Sequence, residues 1–157
     1  MKKPPEKDMR CRTHALNELK TYKYVVVLSF YRGKILLSRH RNRDTWETQG
    51  GHIERGETPL DAAKRELYEE SGATRFTIEP AFDYWAGNGT DESNGMVFVA
   101  RVEKLADLPD KEMREVGLFD ALPDALTYPD ITPRLFERSG MLPGTGGGGR
   151  ADAEEDV

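Results

Sequence analysis

The sequence predicts an α/β protein, an α/β/α sandwich built on a mixed β-sheet, on three observations. Strand-like runs stand both before and after one convincing long helix at residues 58–71. Two of those runs flank a short turn at Arg32-Gly33 and read as a hairpin. A second, shorter helix opened by Thr132-Pro133 and ending near Gly140 closes the pattern.

In chain order, residues 1–20 are charged and proline-bearing with little periodicity, and read as an N-terminal arm. A folded domain is expected over residues 21–142. Its first strands are Tyr24–Tyr31, β-branched and aromatic, and residues 34–39. The helix at 58–71 carries its own signals. Thr58 can cap the first turn, Pro59 sits where its missing N–H is harmless, and Asp61 completes a capping-box-like pattern. Leu60, Ala63 and Leu67 recur with helical spacing and form the stripe expected to be buried, and Gly72 supplies the stop. Further strands are expected at 76–85, 96–102 and 116–119. The Gly-, Asn-, Asp- and Ser-rich residues 86–95 read as a flexible connection. Residues 143–157, glycine-rich and then acidic, read as a disordered tail.

Composition excludes some functions. The formal charge of −5 gives no general attraction to nucleic acid. The single Cys11 rules out an intrachain disulfide framework and a Cys-rich zinc site. There is no long apolar run to span a membrane, and residues 1–12 lack the apolar stretch of a signal peptide, so a cytoplasmic location is expected.

The chemistry-bearing residues lie on the long helix and the loop before it. Glu66, Glu69 and Glu70 share one helical face at i, i+3 and i+4. Like charges so placed repel by roughly 0.2–0.5 kcal/mol per pair, and a hard divalent cation offsets that cost because Mg²⁺ prefers carboxylate, water and phosphate oxygens. Taken alone, the cluster reads more simply as a solvated face laced by Asp61–Arg65 and Arg65–Glu69 pairs. The loop from Gly50 to Glu57 tips the balance, since its glycines let backbone approach a ligand closely at the head of the helix.

Gly51, Glu57, Arg65-Glu66-Leu67, Glu69-Glu70 and Gly72-Ala73 stand in the spacing G-x5-E-x7-R-E-U-x-E-E-x-G-U, which resembles the box of the Nudix hydrolase family, MutT-like members among them. All seven fixed positions are present, a chance match on the order of one in 10⁸ at a single register. Ala73 stands where the family usually has a bulkier aliphatic residue. The resemblance implies the Nudix fold and a hydrolase that cleaves a diphosphate linkage with water. It implies Glu66, Glu69 and Glu70 as Mg²⁺ ligands, with Mn²⁺ able to substitute and the Gly50 carbonyl as a further ligand. Arg65 would orient a neighbouring carboxylate, and Glu57 would steady the loop–helix junction; a plain salt bridge between them is compatible with both roles. In MutT-like members a further glutamate comes from a late loop; Glu112 is the candidate and Glu115 the reserve, either being also readable as a solvated side chain.

For substrate, Arg39 matches a position that contacts phosphates or sugar in MutT-like proteins, and Gly50 and Gly51 line the same place; an exposed strand-end arginine is the plainer reading of Arg39. Thr48 and Gln49 replace the apolar residue and proline that many members carry before the paired glycines, which argues against a direct copy of MutT base recognition. Tyr84 and Trp85 offer stacking faces or are half-buried strand residues. His40 and His52 flank the site and read more simply as polar lining than as ligands, and Asp130 is a candidate for touching a base edge. The first expectation is a nucleoside triphosphate cut to monophosphate and pyrophosphate, with 8-oxo-dGTP one candidate. The second is ADP-ribose or a nucleotide-sugar. The third is a non-catalytic nucleotide sensor, disfavoured because every box carboxylate is retained. The partner expected is thus a small-molecule nucleotide, with no nucleic acid and no membrane, on a monomer or homodimer.

Overall fold

In the computed structural model, which describes residues 9–142, seven strands form one mixed sheet. They are β1 (Arg10–His14), β2 (Tyr24–Tyr31), β3 (Lys34–His40), β4 (Gln49–His52), β5 (Ala73–Gly87), β6 (Glu92–Leu105) and β7 (Met113–Phe119). Helix α1 (Pro59–Ser71) lies between β4 and β5, and α2 (Thr132–Ser139) follows β7. The order across the sheet is β1-β5-β6-β2-β3-β7. Only the β2–β6 pairing is parallel; β4 pairs with the first half of β2, and β3 with its end.

Alternation along the central strands divides the interior in two. Val25 and Val27 of β2, with Leu36 of β3, pack against Ala62, Ala63 and Leu67 of α1. Leu28 and Phe30, with Ile35 and Leu37, pack against Leu135 and Phe136 of α2. A sheet covered on both faces explains why these strands read as unbroken apolar runs. The expected α/β/α sandwich is therefore present.

Helix α1 begins as its sequence dictates. Asp61 N donates to Thr58 Oγ1 and Thr58 N to Asp61 Oδ2, both at 3.1 Å. It ends at Gly72, whose φ of 80° suits glycine and whose N–H donates to Tyr68 O at 2.8 Å. Ala73 is buried in the α1-side core, so the small box residue is packed rather than loose. The buried stripe differs from expectation at one end. Leu60 is 37% exposed, and Ala62 is buried beside Ala63 and Leu67 instead.

Three further features depart from the sequence reading. Arg10–His14, inside the segment read as an arm, pairs antiparallel with β5 in register Arg10↔Gly87 to His14↔Asp83, and Cys11 is buried in the α2-side core. Residues 86–95 are mostly strand: β5 runs to Gly87 and β6 resumes at Glu92, leaving only a tight turn that Asn88 closes by accepting from Thr90 N and Asp91 N. β4 was not expected as a strand, since Gly-Gly is a poor strand former; its pairing with β2 holds it there. The expected tail at 143–157 lies outside the described residues.

Candidate functional site

β4 lies beside β2 under the body of α1, so the Gly50–Gly51 backbone runs beneath the carboxylate face of the helix. A Cβ built on Gly51 would lie 2.3 Å from Glu66 Oε2, and one on Gly50 2.3 Å from Val25 O. At Gly50 the obstacle is backbone and only glycine fits, whereas a side chain at Gly51 would have to displace the Glu66 carboxylate. Glu70 is buried, and its Oε1 accepts from Gly50 N at 2.9 Å. Ser38 Oγ donates to the Glu70 carbonyl at 2.8 Å, fixing the helix to β3.

Arg65 joins the acidic groups. Its Nε donates to Glu57 Oε2 at 2.6 Å and Nη2 to Glu57 Oε1 at 2.9 Å, a two-point pairing of fork and carboxylate. Nη1 donates to Glu66 Oε2 at 3.0 Å and to Glu69 Oε1 at 3.3 Å, and Nη2 also reaches the His52 carbonyl at 3.1 Å. Hydrogen bonding from Arg65 holds the Glu57 carboxyl below its usual range, and the same bonds raise the guanidinium further above its own. Glu57 Oε1 also accepts from Glu54 N at 2.9 Å, which closes the loop onto the helix. Glu57 and Arg65 pair where the loop meets the helix, and Glu66, Glu69 and Glu70 share one helical face.

The other candidates fall into distinct places. Arg39 pairs with Glu115 across β3 and β7, and its guanidinium lies 4.9 Å above the Trp46 ring. Glu112 is exposed, and its carbonyl accepts from Arg41 N at 2.8 Å, which sets the loop before β7 against the end of β3. His52 packs its ring on Tyr24, with centroids 4.2 Å apart. Tyr84 is buried in the α2-side core; Trp85 carries Arg12 over its ring at 5.2 Å. Asp130 is exposed. Gln49 is fully buried: Nε2 donates to Ser38 Oγ at 2.9 Å and to Leu36 O at 3.2 Å, while Oε1 accepts from Ser29 Oγ. Its amide is therefore committed inside the fold and does not line a base pocket.

Sequence reasoning passed over Glu47. This carboxylate is 1% exposed, accepts from Arg43 Nη1 at 2.8 Å and from Thr127 Oγ1 at 3.0 Å, and faces His40. A charge buried among paired donors is the signal that marks it, but that signal appears only in three dimensions.

The donor set suits a hard cation: carboxylates on one helical face, a carbonyl-bearing glycine pair beneath them, and no sulfur. Among the described residues no group of three His, Cys, Asp or Glu side chains is already arranged to hold a metal ion. Arg65 Nη1 donates to both Glu66 and Glu69. Among the described residues no helix is long and apolar enough to cross a membrane.

Comparison with known proteins bears on family and fold. The family model described as the NUDIX domain matches residues 21–135. The chain is 43% identical over 47 residues to an RNA pyrophosphohydrolase of Psychrobacter sp. (strain PRwf-1), covering 30% of this chain and 27% of that protein. It is 45% identical over 60 residues to an RNA pyrophosphohydrolase of Bartonella clarridgeiae, covering 32% of this chain and 35% of the other. The similarity thus spans about a third or less of these curated relatives' length. Among solved structures, the Bacillus subtilis pyrophosphohydrolase BsRppH superposes with a TM-score of 0.68 at 24% identity, over 84% of this chain and 92% of that one. The NUDIX domain of Shewanella oneidensis NrtR, solved with ADP ribose, gives 0.58 at 18% identity, over 74% and 84%. At these identities the likeness is one of fold.

Proposed function

The chain belongs to the NUDIX domain family, and from that premise we propose that it is a Mg²⁺-dependent hydrolase cutting a diphosphate linkage in a nucleoside triphosphate, with monophosphate and pyrophosphate as products. The observation that carries the reading is the placement of Glu66, Glu69 and Glu70 on one face of α1, over a Gly50–Gly51 backbone that lies close against the Glu66 and Glu70 carboxylates. Glu66, Glu69, Glu70 and the Gly50 carbonyl are the groups that would hold the cation. When bound, Mg²⁺ supplies charge neutralisation at phosphate oxygens and acidifies a water.

The chain's own residues do the rest. Gly50 N holds one oxygen of the Glu70 carboxylate, and Ser38 Oγ holds the Glu70 backbone carbonyl against β3. Glu57 anchors Arg65, whose guanidinium balances the carboxylate cluster and keeps the loop on the helix. Glu112, at the exposed loop that Arg41 holds beside β3, is the proposed proton acceptor. Glu115 is the weaker candidate because Arg39 already engages it; that same pair makes Arg39 a phosphate contact only after the pair opens.

A second reading has specific support. The curated relatives quoted above are named RNA pyrophosphohydrolases, which points to the 5′-triphosphate end of an RNA as substrate. The formal charge of −5 disfavours extended contact with a phosphate backbone, so the free nucleotide is preferred. The deciding experiment incubates the protein and Mg²⁺ with nucleoside triphosphates (8-oxo-dGTP among them), ADP-ribose, a nucleotide-sugar and a 5′-triphosphorylated RNA, and separates products by chromatography. Pyrophosphate and a nucleoside monophosphate are expected, with Glu70→Gln nearly inactive. Turnover confined to the RNA would replace the first reading with the second. No turnover of any of the panel would leave a ligand-binding domain.

A further inference from the structure

Beside Glu70 stands a buried imidazole that the function above does not use. His40, the last residue of β3, is 6% exposed, and neither Nδ1 nor Nε2 has a hydrogen-bond partner. Nε2 lies 3.5 Å from Glu47 Oε1 and 3.9 Å from Glu70 Oε2. Both distances exceed an ordinary hydrogen bond, and both are short enough that a small rotation closes either one.

The two carboxylates are held from behind. Glu47 Oε2 accepts from Arg43 Nη1 and Thr127 Oγ1, and Glu70 Oε1 accepts from Gly50 N. Each turns its second oxygen toward the same ring nitrogen. β3 also touches Glu70 twice, since Ser38, two residues before His40 on the same face of the strand, donates to the Glu70 carbonyl. Burying an imidazole without a hydrogen bond is unfavourable, and an apolar side chain would fill the space without that penalty. Packing alone therefore does not account for histidine here.

We propose that His40 is a positioning residue for Glu70: the ring turns from Glu47 so that Nε2–H donates to Glu70 Oε2 and sets the carboxylate rotamer that faces the cation. The inference rests on the reading of Glu70 as a ligand. Groups that orient a metal-binding side chain in this way typically contribute 10–100-fold in affinity, roughly, when removed.

The test is Mn²⁺ binding to the full chain without nucleotide, followed by electron paramagnetic resonance, with thermal melting as the check on folding. His40→Phe fills the space without a donor, and is expected to weaken Mn²⁺ binding about 10–100-fold at an unchanged or higher melting temperature. His40→Gln retains an N–H donor at similar reach, and is expected to stay within about threefold of the parent. Should His40→Phe fail to fold, His40→Asn decides in its place: it is polar but too short to reach Glu70, and is expected to bind as weakly. Parent-like affinity in His40→Phe, or in His40→Asn where that stands in, overturns the inference, provided that Glu70→Gln has lost binding. Parent-like affinity in Glu70→Gln overturns instead the ligand reading on which the inference stands.

Discussion

The two faces of the sheet are built alike and used differently. Each has an apolar core closed by one helix: Ala62, Ala63 and Leu67 of α1 on one side, Leu135 and Phe136 of α2 on the other. α2 contributes little beyond that cover. α1 buries Glu70 and Ser71 along with its apolar stripe, and Glu70 meets Ser38 and His40 of β3 and Gly50 of β4. Burying such groups is unfavourable unless each is hydrogen-bonded, so this face carries a dense polar network where the other carries rings and aliphatic chains. The difference teaches which substitutions should separate stability from activity.

The sharpest separation is at Glu70. Glu70→Gln keeps an oxygen for Gly50 N and removes a buried charge, so the melting temperature should hold or rise while kcat falls about 10³-fold. A steady-state assay paired with a thermal melt reads both, and a variant that loses stability and activity together breaks the contrast. The opposite outcome is expected at Phe136, fully buried on the α2 face. Phe136→Ala should lower unfolding free energy by about 3–5 kcal/mol in a urea titration, while kcat per folded molecule stays near that of the parent.

Gly51→Ala sharpens the same comparison at the backbone. Its Cβ would meet Glu66 Oε2 at 2.3 Å, the end of a flexible side chain, so the fold survives and Glu66 moves. Mn²⁺ affinity is expected to fall roughly 10-fold, measured by calorimetry. The smallest effect lies in acid stability. Arg65 lowers the pKa of Glu57 from its ordinary 4.5. A depressed folded-state pKa contributes stability that is present above 4.5 and is lost as pH falls through the lowered value. Urea midpoints measured from about pH 6 down to pH 3 should therefore fall more steeply in the parent than in Glu57→Gln. Equal slopes would show that the pair contributes nothing to folding.

Much of the α1 side was legible in the sequence because its information is local. The capping box at Thr58 and Asp61, the stop at Gly72 and the acidic face of the helix all repeat at fixed short spacings, and a helix converts spacing into position. β4 was not legible, since Gly50 and Gly51 show no strand propensity and gain their conformation from β2. β1 was hidden for a related reason: Arg10–His14 is polar apart from Cys11, and only its pairing with β5 makes it a strand. Glu47 and His40 are brought together by the bridge between Ser38 and Glu47, and meet Glu70 only when α1 docks. Gln49 shows the limit most plainly. A polar residue beside the glycine pair reads as ligand-facing, and the fold instead spends its amide on Ser29, Ser38 and Leu36.

One measurement reaches the central claim without passing through activity. Crystals soaked in Mn²⁺ and diffracted near the manganese absorption edge report the ion's position directly. An anomalous peak among the side chains of Glu66, Glu69 and Glu70, within reach of the Gly50 carbonyl, is the predicted result. A peak elsewhere, with Arg65 still clasping Glu66 and Glu69, would contradict it.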